Sequence, residues 1–357
     1  MKIIFILILF YSSSAFASLE KSIIIDHKSA SQFEKIPTEF LSATINLKHM
    51  FRHASVGTTI DGGLNCLQGT KNNCKQYPQY KYDRRAWQCQ PRGNSGWFGK
   101  VDDFVTQVTA QEENFDIFSF KYCYLDGLDQ VAEPCGGYPS KPDKIKKAWD
   151  YLKDNMLTVE NKYPQKVFVW WTIPLTQIGQ YCTDELNKLI RDYCKENKKI
   201  LFDLADIECH DTTGAIVKNE QGLEKAFKPY CGEQKPDAAA CHPNDFGASI
   251  ISKAFWVMMA QIAGWEPGIT YTKEFDEDSN TDIIISPNPV SDYLEIRLNS
   301  IAIGTQINEI RIINSLGECM KKQILSVSSI QRLSVSELNT GIYFINIGNQ
   351  TFKFVKL

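Results

Sequence analysis

Phe51-Arg52-His53-Ala54-Ser55-Val56-Gly57-Thr58-Thr59-Ile60 reads as a short apolar strand entry, a turn of small residues and the start of a helix. Ile60, Leu64 and Leu67 recur at the spacing of one helix face. A serine at such a turn presents its hydroxyl at the C-terminal edge of a sheet. Its backbone N–H points into the helix start, where negative charge is favoured. Those are the needs of a nucleophile with half an oxyanion hole. A serine in the same place also serves as a plain N-cap. Both readings of Ser55 stay open on this stretch alone.

Further apolar runs lie at 115–120, 167–171 and 200–204, with amphipathic patterns at about 143–160, 183–197 and 246–263. Strand and helix alternating at this spacing predict an α/β domain, a parallel sheet with flanking helices on both faces. Chemistry in such sheets sits at the C-terminal strand ends. Trp170 and Trp171 point to opposite faces of one strand, so at least one is core.

The histidines are His27, His49, His53, His210 and His242. His27 and His49 have no catalytic pattern nearby, and His210 follows the third apolar run. His242 lies in Cys241-His242-Pro243-Asn244-Asp245-Phe246-Gly247, a polar loop before the last helical pattern, placed to return over the sheet edge. The bland reading is a surface histidine stabilising a turn. Asp203, Asp206 and Glu208 at a strand end could hold a cation, but acids there are more often caps and turns. No His-x-His pair occurs, and neither a catalytic metal nor a cofactor is expected.

Lys2, the apolar run 3–11 and Ala15-Phe16-Ala17 predict a signal peptide over 1–17, cleaved before Ser18. That run is too short to span a bilayer. No later run is long enough, so the mature chain is expected to lack a transmembrane segment. A formal charge of −3 over 357 residues argues against a nucleic-acid binder, which needs a basic face. Ten of the eleven cysteines lie from Cys66 to Cys241, and Cys319 stands apart. In an exported chain this predicts disulfides. At least four bridges are expected there, with Cys231–Cys241 and Cys123–Cys135 as the pairs. Cys182 and Cys194 flank a helical stretch about 18 Å long and cannot meet.

An acidic Ser/Asn-containing stretch at 275–282 reads as a linker, separating a domain over 18–274 from one over 283–357. Beyond it helical periodicity vanishes. Leu294, Ile296 and Leu298 alternate with Glu295 and Arg297, which predicts a small all-β sandwich. This last segment resembles the C-terminal sorting domain of type IX secretion substrates. The matching pieces are Ser286-Pro287-Asn288-Pro289-Val290, Asn314-Ser315-Leu316-Gly317-Glu318, Leu333-Ser334-Val335 and Leu338-Asn339-Thr340-Gly341-Ile342-Tyr343-Phe344, with Lys353 and Lys356. The resemblance implies the type IX secretion machinery as a partner. It also implies passage through the periplasm to the outside or to the outer-membrane surface. The alternative is an Ig-like binding module.

The middle domain resembles the SGNH hydrolase superfamily, in a divergent branch whose first block is His-x-Ser-Val-Gly. The resemblance rests on His53-Ala54-Ser55-Val56-Gly57 and the loop of His242. It extends to Phe120-Lys121-Tyr122-Cys123-Tyr124-Leu125-Asp126, Trp170-Trp171-Thr172-Ile173-Pro174-Leu175-Thr176 and Phe202-Asp203-Leu204-Ala205-Asp206-Ile207-Glu208. It implies a secreted esterase or deacetylase acting on acyl esters, acylated polysaccharide among them. Ser55 would be the nucleophile, His242 the base and Asp237 the acid that orients it. Gly96, Asn94 and Lys121 would be oxyanion or substrate contacts, with His53 lining the site.

Two departures matter. Ala239 stands where the family has the orienting acid, so either Asp237, five residues before His242, takes that role or a Ser–His dyad operates. No Gly-x-Asn-Asp block exists, and Lys121-Tyr122-Cys123-Tyr124 takes its place. Lys121 could equally pair with Asp126 or Asp203. The missing block keeps a second class open: a non-catalytic surface protein that binds carbohydrate or protein on a decayed hydrolase fold. The aromatic loop 77–97 either stacks on sugars or packs beneath a disulfide.

Overall fold

The computed structural model describes residues 22–70, 79–232, 239–267, 283–298, 309–314, 317–324, 330–347 and 350–356. The expected signal peptide, the 275–282 linker and Asp237 lie outside the described residues. The chain divides into two units, Met1–Thr270 and Tyr271–Leu357.

The first unit holds one sheet of β1 (Ile23–Ile25), β2 (His49–His53), β3 (Trp87–Pro91), β4 (Ile117–Phe120), β5 (Val167–Trp171) and β6 (Ile200–Phe202). The order across it is β1-β6-β5-β4-β2-β3, and every neighbouring pair is parallel. The helices are α1 (Thr38–Thr44), α2 (Val56–Gln68), α3 (Gln79–Tyr82), α4 (Gly96–Gln111), α5 (Pro142–Lys162), α6 (Tyr181–Glu196), α7 (Leu204–Cys209) and α8 (Asp245–Ile262).

β4 and β5 are buried at every position. A parallel sheet covered on both faces demands this, and it is why these strands read as unbroken apolar runs. On one face α4, α5 and α6 place Trp97, Phe104, Trp149 and Ile190 in a core with Phe118, Phe120, Phe168 and Trp170. On the other, Phe255 of α8 meets the rings of Phe51, Trp87, Trp171 and Phe202 at centroid separations of 5.7–6.1 Å. Trp170 and Trp171 are therefore both core, on opposite faces. α2 lies against α8 at Gly63, where a Cβ would stand 2.3 Å from Ser252 Oγ and 2.6 Å from the Ala248 carbonyl oxygen.

Two strands were not expected. β1 is a three-residue edge strand, and β3 lies inside the aromatic loop. Trp87 and Tyr82 of that loop are 5% and 1% exposed, so these two rings pack inward. The run 200–204 ends as a strand at Phe202. Asp203 turns the chain and caps α7, its carboxylate accepting the Asp206 N–H at 3.1 Å.

The disulfide expectations are corrected in part. Cys231–Cys241 forms, but Cys135 pairs with Cys182 and not with Cys123. Cys89, Cys123, Cys194 and Cys209 are free thiols. Of the ten cysteines from Cys66 to Cys241, that leaves six, so at most three bridges form rather than four. The helix α6 does keep Cys182 and Cys194 apart.

In the second unit β7 (Ile283–Ser286), β8 (Tyr293–Leu298), β9 (Glu309–Asn314), β10 (Cys319–Ile324), β11 (Ile330–Ser334), β12 (Gly341–Ile347) and β13 (Gln350–Lys356) form two antiparallel sheets. Their orders are β10-β9-β12-β13 and β11-β8-β7. Leu294, Ile296, Ile310, Ile312, Leu333 and Ile345 fill the core of this all-β sandwich. Among the described residues no helix is long and apolar enough to cross a membrane.

Candidate active site

β2 and β4 are neighbours, yet the helix after β2 packs with α8 on one face and the helix after β4 packs on the other. The C-terminal edge between two such strands is the position where sheets of this kind bind ligands. Ser55 follows β2 and Lys121 follows β4.

Ser55 occupies the N-cap position of α2 at φ 54° and ψ −112°. A non-glycine residue held there costs roughly 1–3 kcal/mol, and such strain clusters at functional sites. Its side chain makes no capping bond. Oγ instead lies 2.5 Å from His242 Nε2. The backbone is that of a cap, while the side chain is turned to other use. Gly57 makes the turn possible, because a Cβ there would stand 2.3 Å from His53 Cβ.

His242 arrives on the loop before α8. Cys231–Cys241 closes that loop, the Gly232 N–H donates to the His242 carbonyl at 2.8 Å, and the Asn244 N–H donates to the Tyr230 carbonyl at 2.8 Å. Gln177 holds it from beneath, its N–H on the Ala239 carbonyl and its amide on the Ala240 carbonyl. Tyr124 stands edge-on to the imidazole at 5.5 Å. Burial, and then the positive charge of Lys121, push the His242 pKa below its ordinary value. The neutral ring that results is competent to accept a proton.

Lys121 is fully buried. Its Nζ donates to the Tyr122 carbonyl at 2.7 Å. Burial lowers its pKa to about 8. It pairs with neither acid expected of it. Asp126 accepts from Lys100 at 2.6 Å, and Asp203 accepts from Arg191 at 2.6 Å. His53 is 3% exposed, and burial with the Lys121 charge lowers its pKa to about 4, so it is neutral. Among the described residues neither of its ring nitrogens has a hydrogen-bond partner. Asn94, between β3 and α4, and Gly96, the first residue of α4 at φ 76°, are exposed. No hydrogen bond joins them to Ser55 or His242 among the described residues.

Two groups escaped the sequence reading. Arg92 bridges the strand ends, its N–H donating to the His53 carbonyl at 2.9 Å and its Nη2 to the Lys121 carbonyl at 2.5 Å. Glu208 is no surface cap. It is buried, its Oε2 accepts the Leu175 N–H at 2.6 Å, and burial raises its pKa to about 8.

In the second unit Asn288, between two prolines, ties the start of the sandwich to its last strand. Its amide accepts the Val355 N–H at 2.8 Å and donates to the Lys353 carbonyl at 3.1 Å. Residues 285–357 match the family described as a secretion system C-terminal sorting domain. The chain ends in a sorting domain. In this sorting domain Gly317, at φ 86°, closes the hairpin between β9 and β10, and the Tyr343 hydroxyl donates to the Asn339 carbonyl at 2.9 Å. The motifs are thus turns and ties of one small fold. The protein is secreted or held at the cell surface. Removing residues 283–357 is expected to strand the remainder in the periplasm, as read by fractionation and surface proteolysis. Normal surface delivery of the shortened chain would refute this.

No curated protein matches the chain. Among solved structures, the first unit is similar to a G-D-S-L family protein from Desulfitobacterium hafniense at 10% identity and TM-score 0.34, over 59% of this chain and 99% of that one. It is similar to a carbohydrate esterase of family 3 from Talaromyces cellulolyticus at 12% and 0.34, over 61% and 98%. An acetyl esterase variant with acetate gives 12% and 0.33, over 61% and 98%. At such scores the likeness adds nothing to the strand order and the Ser55–His242 contact.

Proposed function

We propose that the first unit is an extracellular serine esterase. The observation that supports this is one contact: Ser55, strained at a strand-to-helix turn and free of capping duty, meets His242 Nε2 at 2.5 Å. Ser55 Oγ attacks an ester carbonyl while His242 Nε2 takes its proton. The imidazolium returns that proton to the departing alcohol, leaving an acyl group on Ser55. Water then attacks the acyl carbon while His242 accepts its proton, and the imidazolium returns that proton to Ser55 Oγ as the acyl–serine bond breaks and the acid leaves. The oxyanion is held by the Ser55 N–H at the start of α2, by the Gly96 N–H and by a donor from Asn94 or Lys121. His53 lines the site, and either Asp237 orients His242 or Ser55 and His242 act as a dyad. Acyl esters, acylated polysaccharide among them, are the substrate class.

The test is hydrolysis of short-chain acyl esters and acetylated sugars by wild type and Ser55→Ala, with organophosphate labelling alongside. Equal activity of the two proteins would sink the assignment. Inactivity of both, with Ser55 refractory to the probe, would favour a surface binding protein instead.

The pH profile is a second check. His242 must be neutral to act, so kcat/KM rises with pH through its pKa and then levels. Because burial and Lys121 both lower that pKa, the acid limb is expected to have its midpoint below 6.5. Lys121→Met removes one of the two causes, so the midpoint should move up toward 6.5. A wild-type midpoint above the ordinary histidine value would contradict the assignment of His242 as base.

A further inference from the structure

His27, Asp206 and His210 form a cluster at the other side of the sheet. His27 follows β1, and Asp206 and His210 stand four residues apart at α7. Three strands separate β1 from β2, so the cluster lies about 19 Å from the Ser55 strand at ~4.8 Å per strand.

The three side chains are already organised around one another. His27 Nδ1 lies 2.6 Å from Asp206 Oδ2, and the His27 backbone N–H donates to the same oxygen at 2.8 Å. His210 Nδ1 donates to the Asp206 carbonyl at 2.7 Å, which fixes its tautomer and leaves Nε2 with a lone pair. That is how metal-binding histidines are commonly held. The two imidazoles stack at 3.6 Å, within 10° of parallel. One donor atom from each residue lies within 4.8 Å of the other two. The His27 and Asp206 side chains are 19% and 22% exposed, so an ion can enter from water.

We infer that His27, Asp206 and His210 bind a late first-row divalent ion such as Zn²⁺, with water completing the shell. Two imidazoles and one carboxylate suit that class and not Mg²⁺ or Ca²⁺. Bonds of about 2.0–2.2 Å need donors roughly 3–3.5 Å apart. The His27–Asp206 contact therefore opens slightly as the ion replaces the shared proton, and the parallel rings tilt until their lone pairs converge. The ion's role is a clamp. β1 is a three-residue edge strand whose only strand neighbour among the described residues is β6, and the ion would fasten its end to α7. Nothing in this depends on the esterase reading.

The test uses the full chain, stripped with chelator and desalted. Calorimetric titration with ZnCl₂ is expected to give one site at ~10 µM or tighter, with a raised melting temperature. His27→Gln and His210→Gln should each weaken binding ~10–100-fold or more. MgCl₂ should give neither heat nor a melting shift. Zinc-edge absorption of the wild-type complex should show imidazole nitrogen at about 2.0–2.1 Å. Equal Zn²⁺ affinity in wild type and the double variant would overturn the inference, as would a first shell without imidazole. Ester hydrolysis should be the same before and after stripping, which keeps the two readings separable.

Discussion

Ser55→Ala is expected to lower turnover of short-chain acyl esters by about 10⁴-fold or more, and His242→Ala by a similar factor. A hydroxyl without a base is a weak nucleophile, and a base without its hydroxyl has nothing to activate. The two members therefore fail together, and the double variant should be little worse than either single one. Either change leaves the core intact. Ser55 makes no capping bond for α2 to lose, and the His242 loop is held by backbone bonds and the Cys231–Cys241 bridge. Melting temperatures near that of wild type should therefore accompany the loss. A fall of less than tenfold in Ser55→Ala would point to another nucleophile.

Phe255→Ala is the largest expected effect on stability, a loss of about 3–5 kcal/mol. Phe255 is 1% exposed, and its ring meets those of His49, Phe51, Trp87, Trp171 and Phe202. These neighbours belong to four different strands, and large rigid rings fill a vacated volume poorly. The cavity cost therefore adds to the lost burial. Urea unfolding should show a lower midpoint with an unchanged slope. A loss under about 1 kcal/mol would mean that α8 collapses onto the sheet and closes the gap.

The strands buried on both faces were legible, because burial of both faces removes the polar alternation that would otherwise blur them. β4 and β5 are the examples. β1 was not legible, since three residues carry no period. β3 was hidden because Gln88, Cys89 and Gln90 stand on a strand with only one neighbour. Ser55 and His242 were legible as a pair through motif order. Their surroundings were not. Lys121 had two candidate acids, Asp126 and Asp203, but Lys100 and Arg191 take both. Arg92 and Glu208 are ordinary charges in sequence, and only the packing of distant segments buries Glu208 and seats Arg92 between the strand ends. The Cys135–Cys182 pairing failed to announce itself for the same reason. The start of α6 is brought to the loop after β4 by tertiary contacts, among them Asp129 accepting the Tyr181 and Cys182 N–H groups at 3.0 and 2.8 Å.

The Cys231–Cys241 bridge spans ten residues and ends one residue before His242. Cytosolic thiols stay reduced, whereas exported ones oxidise. Closing a loop of this size contributes about 2–3 kcal/mol, most of it by restricting the chain before it is ordered. On the proposed chemistry, a newly made chain in the cytosol lacks the covalent tie beside its base and relies on backbone bonds to hold the His242 loop. The bridge beside the base therefore forms once the chain reaches the periplasm, before the C-terminal domain directs it outward.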